Sequence, residues 1–444
     1  MNRRRVAIVG AGPTGLYLAI ALARRNHRVI VIDRDRGPAP DGSWGRKGVM
    51  QFHHPHGFRG QVVDALTAEM PEVLDAMITA GAVPATIPAL PDRVVGLRCR
   101  RELFERVLRG AAEHEPGVEL RLGHAERPLA DRGRVTGLVV DGQRIDAEMV
   151  IDASGRVGRL GQGLRAPARG GDCGLAYVSR QYELLPGADE GPVNSPMGLV
   201  ANLDGYQVVV FPHDNRTFST LIARLASDRH LAQLRDERAF DVACRAIPAL
   251  TTWTRPDRSR PITSVLPGGR LTNSYQGQRD TGGAVALPGL VFVGDAVCTT
   301  TPTAGRGVAT SFMQAQQLLG LLDRHGDDLT TCSLALEDWC DANIQPWFDD
   351  HVAMDAAQVS RWSGHDIDLT KRLPSDLIVT AAEADPSIID RAGPYLAMAA
   401  LPDSLRGFEP RAREIYQTGW RPDVAPGPSR DELASLVMDT VATA

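Results

Sequence analysis

The chain has 444 residues, 43% of them hydrophobic, and a formal net charge of −5 at pH 7. That length predicts two to three domains, or one discontinuous domain with large insertions. The slight net charge argues against a general surface for polyanions, so nucleic acid is not an expected partner. No stretch approaches the roughly twenty uninterrupted apolar residues of a membrane span, and residues 1–5 lead into a strand pattern without a cleavable signal. We therefore expect a cytoplasmic protein without a membrane partner.

A βαβ pattern opens the chain. The apolar strand 6–9 leads to a Gly-x-Gly-x-x-Gly turn, a helical run follows from Leu16 to Arg25, and a second strand, 29–32, ends at Asp33. This order of strand, turn, helix, strand and acid predicts a dinucleotide-binding unit, with a glycine-rich structural turn as the alternative.

The three glycines have separate physical roles in such a unit: a tight turn, close backbone approach to a pyrophosphate, and packing of the helix on the sheet. The diphosphate would lie on the free amides at the helix N-terminus, where the macrodipole favours negative charge. Asp33 can accept a hydrogen bond from the adenosine ribose 2′-hydroxyl and would repel a 2′-phosphate, so the pattern favours FAD or NAD over NADP. The predicted contacts are Gly10, Gly12, Pro13, Thr14, Gly15, Asp33 and Arg34.

Three histidines follow in a loop. Residues 34–48 are rich in glycine, proline and charge, and the next segment carries His53, His54 and His56. Pro55 interrupts any helix there, and no carboxylate or cysteine accompanies the histidines at metal-ligand spacing. We therefore expect these histidines to hydrogen-bond the backbone, a cofactor or substrate, and we assign no metal ligand. The six cysteines, scattered without a Cys-x-x-Cys pair, predict reduced and mostly buried thiols.

Hydrophobic periodicity predicts the remaining elements. They are helices at 59–80, 98–114 and 229–245, strands at 118–122, 149–151, 206–211, 218–222 and 290–293, a hairpin through Asp141-Gly142, and a long helix from Gly305 and Gly307 to about residue 324.

These patterns predict an α/β fold with a Rossmann-type nucleotide-binding domain, an inserted antiparallel-sheet domain and a C-terminal helical region. The nucleotide-binding domain takes residues 1–160, with a helical excursion at about 60–92, and returns at 284–330. Residues 161–283 have no phosphate-binding turn of their own and form the candidate substrate domain. Residues 331–444 are mostly helical in pattern, and about the last thirty are expected to be partly loose. The pattern does not choose between a cap over the substrate cavity and a dimer contact for this region.

Three motifs in a characteristic order make the chain resemble the FAD-dependent monooxygenase superfamily, which includes aromatic hydroxylases and squalene epoxidase. They are residues 10–15 with Asp33, residues 152–156 (Asp-Ala-Ser-Gly-Arg), and residues 294–296 (Gly-Asp-Ala) with Pro302, Gly305 and Gly307. Within the superfamily, residues 48–51 followed by His54 and His56 are similar to a loop of bacterial natural-product epoxidase-like flavoenzymes. Met50, where that loop usually has proline, and Phe52-His53 are departures that leave the substrate class open.

The resemblance implies FAD and a second set of contacts to it. Asp295 can accept a hydrogen bond from a ribityl hydroxyl, with a cap of its own turn as the alternative. Gly305 and Gly307 permit close backbone approach to the ring, and the amides of the helix they open can stabilise negative charge at the flavin N1–C2=O locus. Arg100 matches the family arginine that reaches the FAD phosphates, although Arg100 or Arg101 could instead belong to a solvated face. The contacts implied are Gln51, Arg100, Asp152, Gly155, Asp295, Pro302, Gly305 and Gly307.

The function implied is an FAD-dependent monooxygenase that uses O2 to epoxidise or hydroxylate an apolar natural-product intermediate through a flavin C4a-hydroperoxide. The electron donor is left open between NAD(P)H and a partner flavin reductase, because the Asp152 motif, which serves flavin and nicotinamide binding together in the hydroxylases, is shorter and altered here, with Arg156 and Arg159 following. An alkene needs no general base, whereas a phenol is activated by deprotonation; His54, His56 and Arg46 are the candidate catalytic residues.

Two other classes of function stay open: a flavin dehydrogenase or reductase without oxygen insertion, and a non-redox cyclase in which FAD is a structural wall. A flavin halogenase is disfavoured, because the Trp-x-Trp-x-Ile-Pro segment is absent and Lys47 lies in a loop without a supporting motif.

Overall fold

The structure, a computed structural model, describes residues 3–46, 48–87 and 92–443; Lys47 lies outside the described residues. Up to residue 152 the elements are β1 (Arg5–Val9), α1 (Pro13–Arg24), β2 (Arg28–Asp33), β3 (Phe58–Arg59), α2 (Gly60–Glu69), α3 (Pro71–Thr79), β4 (Val83–Ala85), β5 (Gly96–Arg98), α4 (Arg101–His114), β6 (Val118–Leu122), β7 (Ala125–Asp131), β8 (Arg134–Val140), β9 (Gln143–Asp146) and β10 (Met149–Asp152).

The middle of the chain is mainly antiparallel. Its elements are β11 (Arg169–Asp172), β12 (Leu175–Leu184), β13 (Leu199–Leu203), β14 (Tyr206–Pro212), β15 (Thr217–Leu225), a 3₁₀ turn (Leu231–Arg235), α5 (Glu237–Ala246), α6 (Pro248–Thr254), β16 (Ser259–Pro261), β17 (Leu266–Gly268) and β18 (Thr272–Tyr275).

The chain then returns to the first region and ends in helices. These elements are β19 (Leu290–Phe292), β20 (Cys298–Thr299), α7 (Gly307–His325), α8 (Leu329–Asn343), α9 (Gln345–Trp362), α10 (Ser375–Thr380), α11 (Ile389–Leu396), α12 (Glu409–Gln417) and α13 (Arg430–Ala442), with 3₁₀ turns at Gly294–Ala296, Pro302–Ala304, Ala381–Glu383, Pro386–Ile388 and Pro402–Phe408.

A parallel five-stranded sheet, which we call the floor, has the order β19-β10-β1-β2-β6. Ala7 pairs in register with Val150 on one side and with Ile30 on the other. Pro13 occupies the first turn of α1, where its missing N–H is not needed. Because the strands are parallel, the turns that follow β1, β10 and β19 meet at one edge of the sheet. The predicted Rossmann-type region is confirmed.

The helical excursion differs from its prediction in one respect. A single helix was expected over residues 59–80, but the structure has α2 and α3, separated at Met70. Pro71 follows Met70, and a residue before proline is disfavoured in the helical region; Met70 accordingly has φ −156° and ψ 62°. Proline in the first turn of α3 then starts the second helix.

The hairpin predicted at Asp141-Gly142 is confirmed. Val140 pairs with Gln143 across the turn, so β8 and β9 are antiparallel. Asp141 and Gly142 have φ of 47° and 74°, as a type I′ turn requires.

A second sheet, which we call the roof, has the order β13-β14-β15-β12-β16, with β17 also paired to β12. Its predicted strands at 206–211 and 218–222 are confirmed as the antiparallel pair β14 and β15. One face of the roof, including Val178, Tyr182 and Phe218, packs into a core with α5 and α6. The opposite face is turned towards the floor.

The end of the chain is more ordered than the sequence predicted. Helix α13 begins with a capping box between Ser429 and Glu432, and Leu433 and Val437 are buried in the roof core. The prediction of a partly loose end was wrong for this helix, because its apolar face is covered by α5. Helices α8, α9 and α12 instead contribute to the core of the floor.

All six cysteines are buried and unpaired. Of the helices that the structure describes, none combines the length and the apolar character that crossing a bilayer would need.

Candidate active site

One groove, of ≈ 890 Å³, runs along the carboxyl edge of the floor and reaches the roof. The turns after β1, β10 and β19 all line it, so that Gly12 and Asp295 face one continuous space. Tyr177 and Phe211 of the roof line the same space. An extended dinucleotide with a reactive far end requires this arrangement. Other predicted residues on the lining are Pro13, Thr14, Arg34, Gln51, His54, His56, Gly155, Pro302, Gly305 and Gly307.

The three glycines of the first turn differ in what surrounds them. A Cβ on Gly10, whose φ is +107°, would lie 2.5 Å from the Ala153 carbonyl oxygen, and one on Gly15 would lie 1.9 Å from the Gly10 oxygen. A Cβ on Gly12 would meet no protein atom within 4 Å. Gly10 and Gly15 are therefore required for close packing, whereas Gly12 leaves open space in the groove that a pyrophosphate fits.

Asp33 lies at the end of β2 and is already well hydrogen-bonded. Its Oδ2 accepts from the Ala11 amide at 2.6 Å and from Arg46 Nη2 at 2.9 Å, and its Oδ1 accepts from the Asp35 amide at 2.8 Å. A carboxylate offers about four lone-pair positions. One acceptor position thus remains for a ribose hydroxyl.

Arg46 was predicted as a catalytic candidate, but the structure places it at the nucleotide end of the groove. Besides Asp33, its guanidinium pairs with the buried Glu105 and donates to the Ala11 carbonyl at 3.2 Å. Strand β2, which ends at Asp33, is three strands from β19, which precedes Asp295; that spacing is about 14 Å. Arg46 is therefore an ion-pair partner of Asp33 and lies away from the Asp295 end of the groove.

The two arginines at the start of α4 have different surroundings. Arg100 does not line the groove; its side chain forms a two-pronged ion pair with the buried Asp214, with Nη2 2.6 Å from Oδ2. Arg101 lines the groove instead and pairs with Glu105. Arg100 is the extended residue before the helix, with ψ 146°, so its side chain and that of Arg101 diverge. Sequence spacing alone could not choose between them.

Asp152 also departs from its predicted role as a cofactor contact. Its side chain is buried, and Oδ1 accepts from the Ser154 amide at 3.0 Å and from Ser154 Oγ at 2.5 Å. Burial raises the pKa of Asp152. The carboxyl group braces its own turn, and Ala153, Ser154 and Gly155 present that turn to the groove.

Asp295 is the unpartnered acid of the groove. Among the described residues, no donor lies within hydrogen-bond distance of its carboxylate, although its backbone oxygen accepts from Thr299 Oγ1 at 3.0 Å. Burial raises the pKa of Asp295, while Arg101 and Arg156 act in the opposite direction. A carboxylate that faces a groove without a protein donor fits a ligand hydroxyl.

The turn before α7 presents free amides to the groove. Gly305 has φ +60°, and a Cβ on Gly305 or Gly307 would meet no protein atom within 4 Å. The first N–H groups of α7 have no partner within the helix and carry the positive end of its dipole. The flavin ring system, which becomes negatively charged on reduction, fits that surface.

His54 and His56 lie beside each other in the groove and are uncharged at neutral pH. Burial lowers the pKa of His54 to about 4, and burial with the nearby Arg101 lowers that of His56 to about 3. His54 Nδ1 is 2.7 Å from Ser179 Oγ. His56 Nδ1 is 2.9 Å from the His54 carbonyl oxygen and must donate to it, which leaves Nε2 to accept from Arg101 Nη1 at 3.3 Å.

The roof residues of the site were missed by sequence reasoning. Tyr177, Ser179 and Gln181 alternate along β12 on the face opposite the roof core. Ser179 is bound to His54, and Gln181 Nε2 donates to the His53 carbonyl at 2.6 Å. The signal that could have revealed them is weak: β12 alternates with a period of two, but its core-facing positions also include the charged Arg180, so the polar face does not stand out.

Known proteins resemble this chain in sequence and in fold. A family model described as the FAD binding domain matches residues 3–325. The kynurenine 3-monooxygenase of Salinispora tropica is 26% identical to this chain, over 74% of this chain and 75% of its own length. The flavin-dependent brominase Bmp2 has a TM-score of 0.65 at 16% identity, over 94% of this chain and 100% of its own. PqsL of Pseudomonas aeruginosa, solved with 2-aminobenzoylacetate, has a TM-score of 0.60 at 16% identity, over 82% of this chain and 99% of its own.

The two solved structures share the fold, whereas the family match covers most of the chain. The open space at Gly12, the unpartnered Asp295 carboxylate and the free amides of α7 together fit a molecule with a pyrophosphate, a polyhydroxyl chain and an electron-accepting ring. The chain therefore belongs to the FAD binding domain family, and it is an FAD-dependent oxidoreductase of the monooxygenase superfamily.

Proposed function

We propose that the protein inserts one atom of O2 into an electron-rich, largely apolar natural-product intermediate held between the Asp295 end of the groove and the roof. The observation that carries this proposal is the continuity of the nucleotide-binding turns with the space beside Tyr177 and Phe211. Bound FAD supplies the activation of oxygen. The donor, NAD(P)H or a reductase, provides two electrons, and with two protons the second oxygen atom leaves as water.

The cofactor contacts form the first part of the proposal. Gly12 and the amides of α1 bind the pyrophosphate, Asp33 accepts from the ribose, and Asp295 accepts from the ribityl chain. Arg101, rather than Arg100, is the arginine that reaches the phosphates. Its position on the groove and its ion pair with Glu105 support that role.

The roof supports an apolar substrate. Three of its buried polar side chains have protein partners: Ser179 bonds His54, Gln181 donates to the His53 carbonyl, and Ser219 bonds His213 at 2.9 Å. The rings of Tyr177 and Phe211 are therefore the main surface left to a ligand. Aromatic faces favour a flat or unsaturated hydrocarbon skeleton.

The low basicity of the histidines favours a substrate that needs no deprotonation. An imidazole with a pKa of about 3 or about 4 is a poor general base at neutral pH. We therefore infer that neither histidine acts as a general base and that His56, both of whose ring nitrogens have protein partners, supports its own loop. The reaction is then epoxidation of an alkene or hydroxylation of a ring that is already electron-rich.

Isotopically labelled dioxygen tests the proposal. The purified holoenzyme is supplied with NAD(P)H, with or without a flavin reductase, and with polyene and arylamine substrates, and the product is analysed by mass spectrometry. One labelled oxygen atom in the product is expected. A product that has lost two hydrogens without gaining oxygen would indicate a dehydrogenase, and turnover that continues without reductant would indicate a cyclase; either would overturn the proposal.

A further inference from the structure

Arg59 connects three backbone carbonyls behind the groove. It is the last residue of β3 and precedes α2. Its Nη2 donates to the Ala304 oxygen at 2.5 Å and its Nε to the Gly305 oxygen at 3.1 Å, both in the turn before α7. Its Nη1 donates to the oxygen of Leu396, the last residue of α11, at 2.6 Å. Each nitrogen of the guanidinium thus has one carbonyl partner, and two of the three lie in the turn that presents Gly305 and Gly307 to the groove.

The positive charge of Arg59 is not neutralised by a neighbour. Among the described side chains no carboxylate forms an ion pair with it, whereas the nearby Arg306 is paired with Asp350 at 2.8 Å. Partial burial, and secondarily Arg306, lowers the pKa of Arg59 to about 10, so the group stays charged at neutral pH. A partly buried cation bound only to carbonyl dipoles leaves net positive potential around it.

The peptide geometry carries that effect to the N-terminus of α7, whose first residues, Gly307 and Val308, line the groove. In a trans peptide the N–H points away from the C=O, so the Gly305 oxygen that accepts from Arg59 shares its peptide group with the Arg306 N–H. A strong hydrogen bond to the carbonyl polarises the peptide and strengthens its N–H as a donor. Arg59 therefore fixes the left-handed Gly305 and enhances the positive end of α7.

We propose that Arg59 is a positioning residue for the flavin end of the groove, which holds the turn 304–307 in place and stabilises the negative charge that FAD carries when reduced. The inference rests on the proposed position of the flavin ring at Gly305 and Gly307. It also gives the C-terminal helical region a role, because the bond to Leu396 supports Arg59 from α11.

Gln61, two residues after Arg59 in the first turn of α2, provides a matched control. Its Nε2 donates to the Ala397 oxygen at 2.8 Å and to the Met398 oxygen at 3.1 Å. It therefore binds the same C-terminal segment as Arg59 but makes no contact with the turn before α7. Gln61→Ala therefore shows the effect of losing hydrogen bonds to the C-terminal segment while the hydrogen bonds to the turn before α7 are kept.

The test compares Arg59→Gln, Arg59→Lys and Gln61→Ala holoenzymes by FAD affinity, from flavin fluorescence, and by flavin reduction potential, from equilibration with reference dyes. Arg59→Gln is expected to weaken FAD binding about tenfold or more, as loss of charged hydrogen bonds does, and to lower the reduction potential. Arg59→Lys keeps the charge and is expected to have a potential closer to wild type. Gln61→Ala is expected to leave both quantities unchanged. An unchanged potential in Arg59→Gln, or equal changes in Gln61→Ala, would overturn the inference.

Two further arms keep the outcomes distinct. If Arg59→Gln does not fold, Arg59→Lys decides: an ammonium cannot bind both turn oxygens as the guanidinium does, so FAD should bind more weakly than in Gln61→Ala, and equal affinities would overturn the inference. Asp295→Ala tests the proposed site itself. If Asp295→Ala binds FAD with unaltered affinity, the proposed position of the flavin is wrong. If Asp295→Ala binds FAD more weakly but Arg59→Gln keeps the wild-type reduction potential, only the role of Arg59 is wrong.

Discussion

Gly10 and Gly12 are two residues apart, yet the same substitution should affect them differently. Gly12 has φ −82°, which alanine tolerates, and an added Cβ meets only the open groove. Gly12→Ala is therefore expected to keep the melting temperature of the FAD-free protein and to weaken FAD binding. Gly10→Ala forces a left-handed residue against the Ala153 carbonyl and should lower both. Thermal melts with and without FAD check this, and a destabilised FAD-free Gly12→Ala protein would contradict it.

Single residues were predictable from sequence where a local constraint fixes them. Gly10, Gly12 and Asp33 follow from the geometry of one strand, turn and helix. Arg46 and Arg100 could not be assigned, because long side chains choose their partners in three dimensions: Glu105 and Asp214 are distant in sequence or on another element, and nothing local points to them. The role of a charged side chain therefore depends on a partner that the sequence around it does not reveal.

At the scale of elements, helix α9 supports the groove through Asp355. Its carboxylate accepts from Asn273 Nδ2 at 2.7 Å and from Thr301 Oγ1 at 3.1 Å, and Thr301 lines the groove. Burial raises the pKa of Asp355 to about 6, despite these hydrogen bonds. Between about pH 4 and pH 6 the folded state thus keeps a proton that the unfolded state loses, and the contribution of this group to stability falls as pH rises.

Asp355→Asn removes that titration. Wild type loses this contribution to stability as the pH rises, whereas the variant does not. The unfolding free energy of the variant minus that of wild type is therefore expected to increase by up to about 3 kcal/mol between about pH 4 and pH 7, since each pKa unit corresponds to about 1.4 kcal/mol. Any loss of hydrogen bonding in the variant is independent of pH and only displaces the curve. Urea denaturation at fixed FAD concentration measures the difference, and parallel curves for the two proteins would refute the assignment.

Helix α13 permits a comparison within one element. Leu433 is fully buried in the roof core, whereas Leu436 is 39% exposed. Leu433→Ala is expected to reduce the unfolding free energy by about 3 kcal/mol, as cavity-forming substitutions do, and Leu436→Ala by no more than about 0.5 kcal/mol. Neither residue lines the groove, so FAD content should not change. Equal melting temperatures would mean that α13 does not stabilise the roof.

Elements were predicted best where their own residues determine them. The first βαβ unit and the Asp141-Gly142 hairpin follow from periodicity and turn chemistry. The break at Met70 was available in the sequence through Pro71. The ordered helix α13 could not be predicted in this way, because it is held in place by α5, which lies almost two hundred residues earlier in the chain. Packing between distant elements has no local signature.

At the scale of the molecule, the groove exists because two separately packed cores face each other. The floor supplies turns from three parallel strands, and the roof supplies the opposite wall through one face of β12 and β14. Sequence motifs predicted the floor side, since each motif ends a strand. The roof side carries no motif, and its residues become part of the site only when the two sheets are placed together.

Comparison of ADP with FAD tests whether the two ends of the groove belong to one ligand. ADP should occupy only the end near Gly12 and Asp33, whereas FAD should also reach Asp295. Asp295→Ala is therefore expected to weaken FAD binding about tenfold or more, the effect of losing a hydrogen bond to a charged group, and to leave ADP affinity as in wild type. Isothermal titration of the FAD-free proteins measures both. Equal losses for the two ligands would mean that Asp295 maintains the groove as a whole, and no loss for either would place the ribityl chain elsewhere, because the unpartnered carboxylate would then contribute nothing to binding.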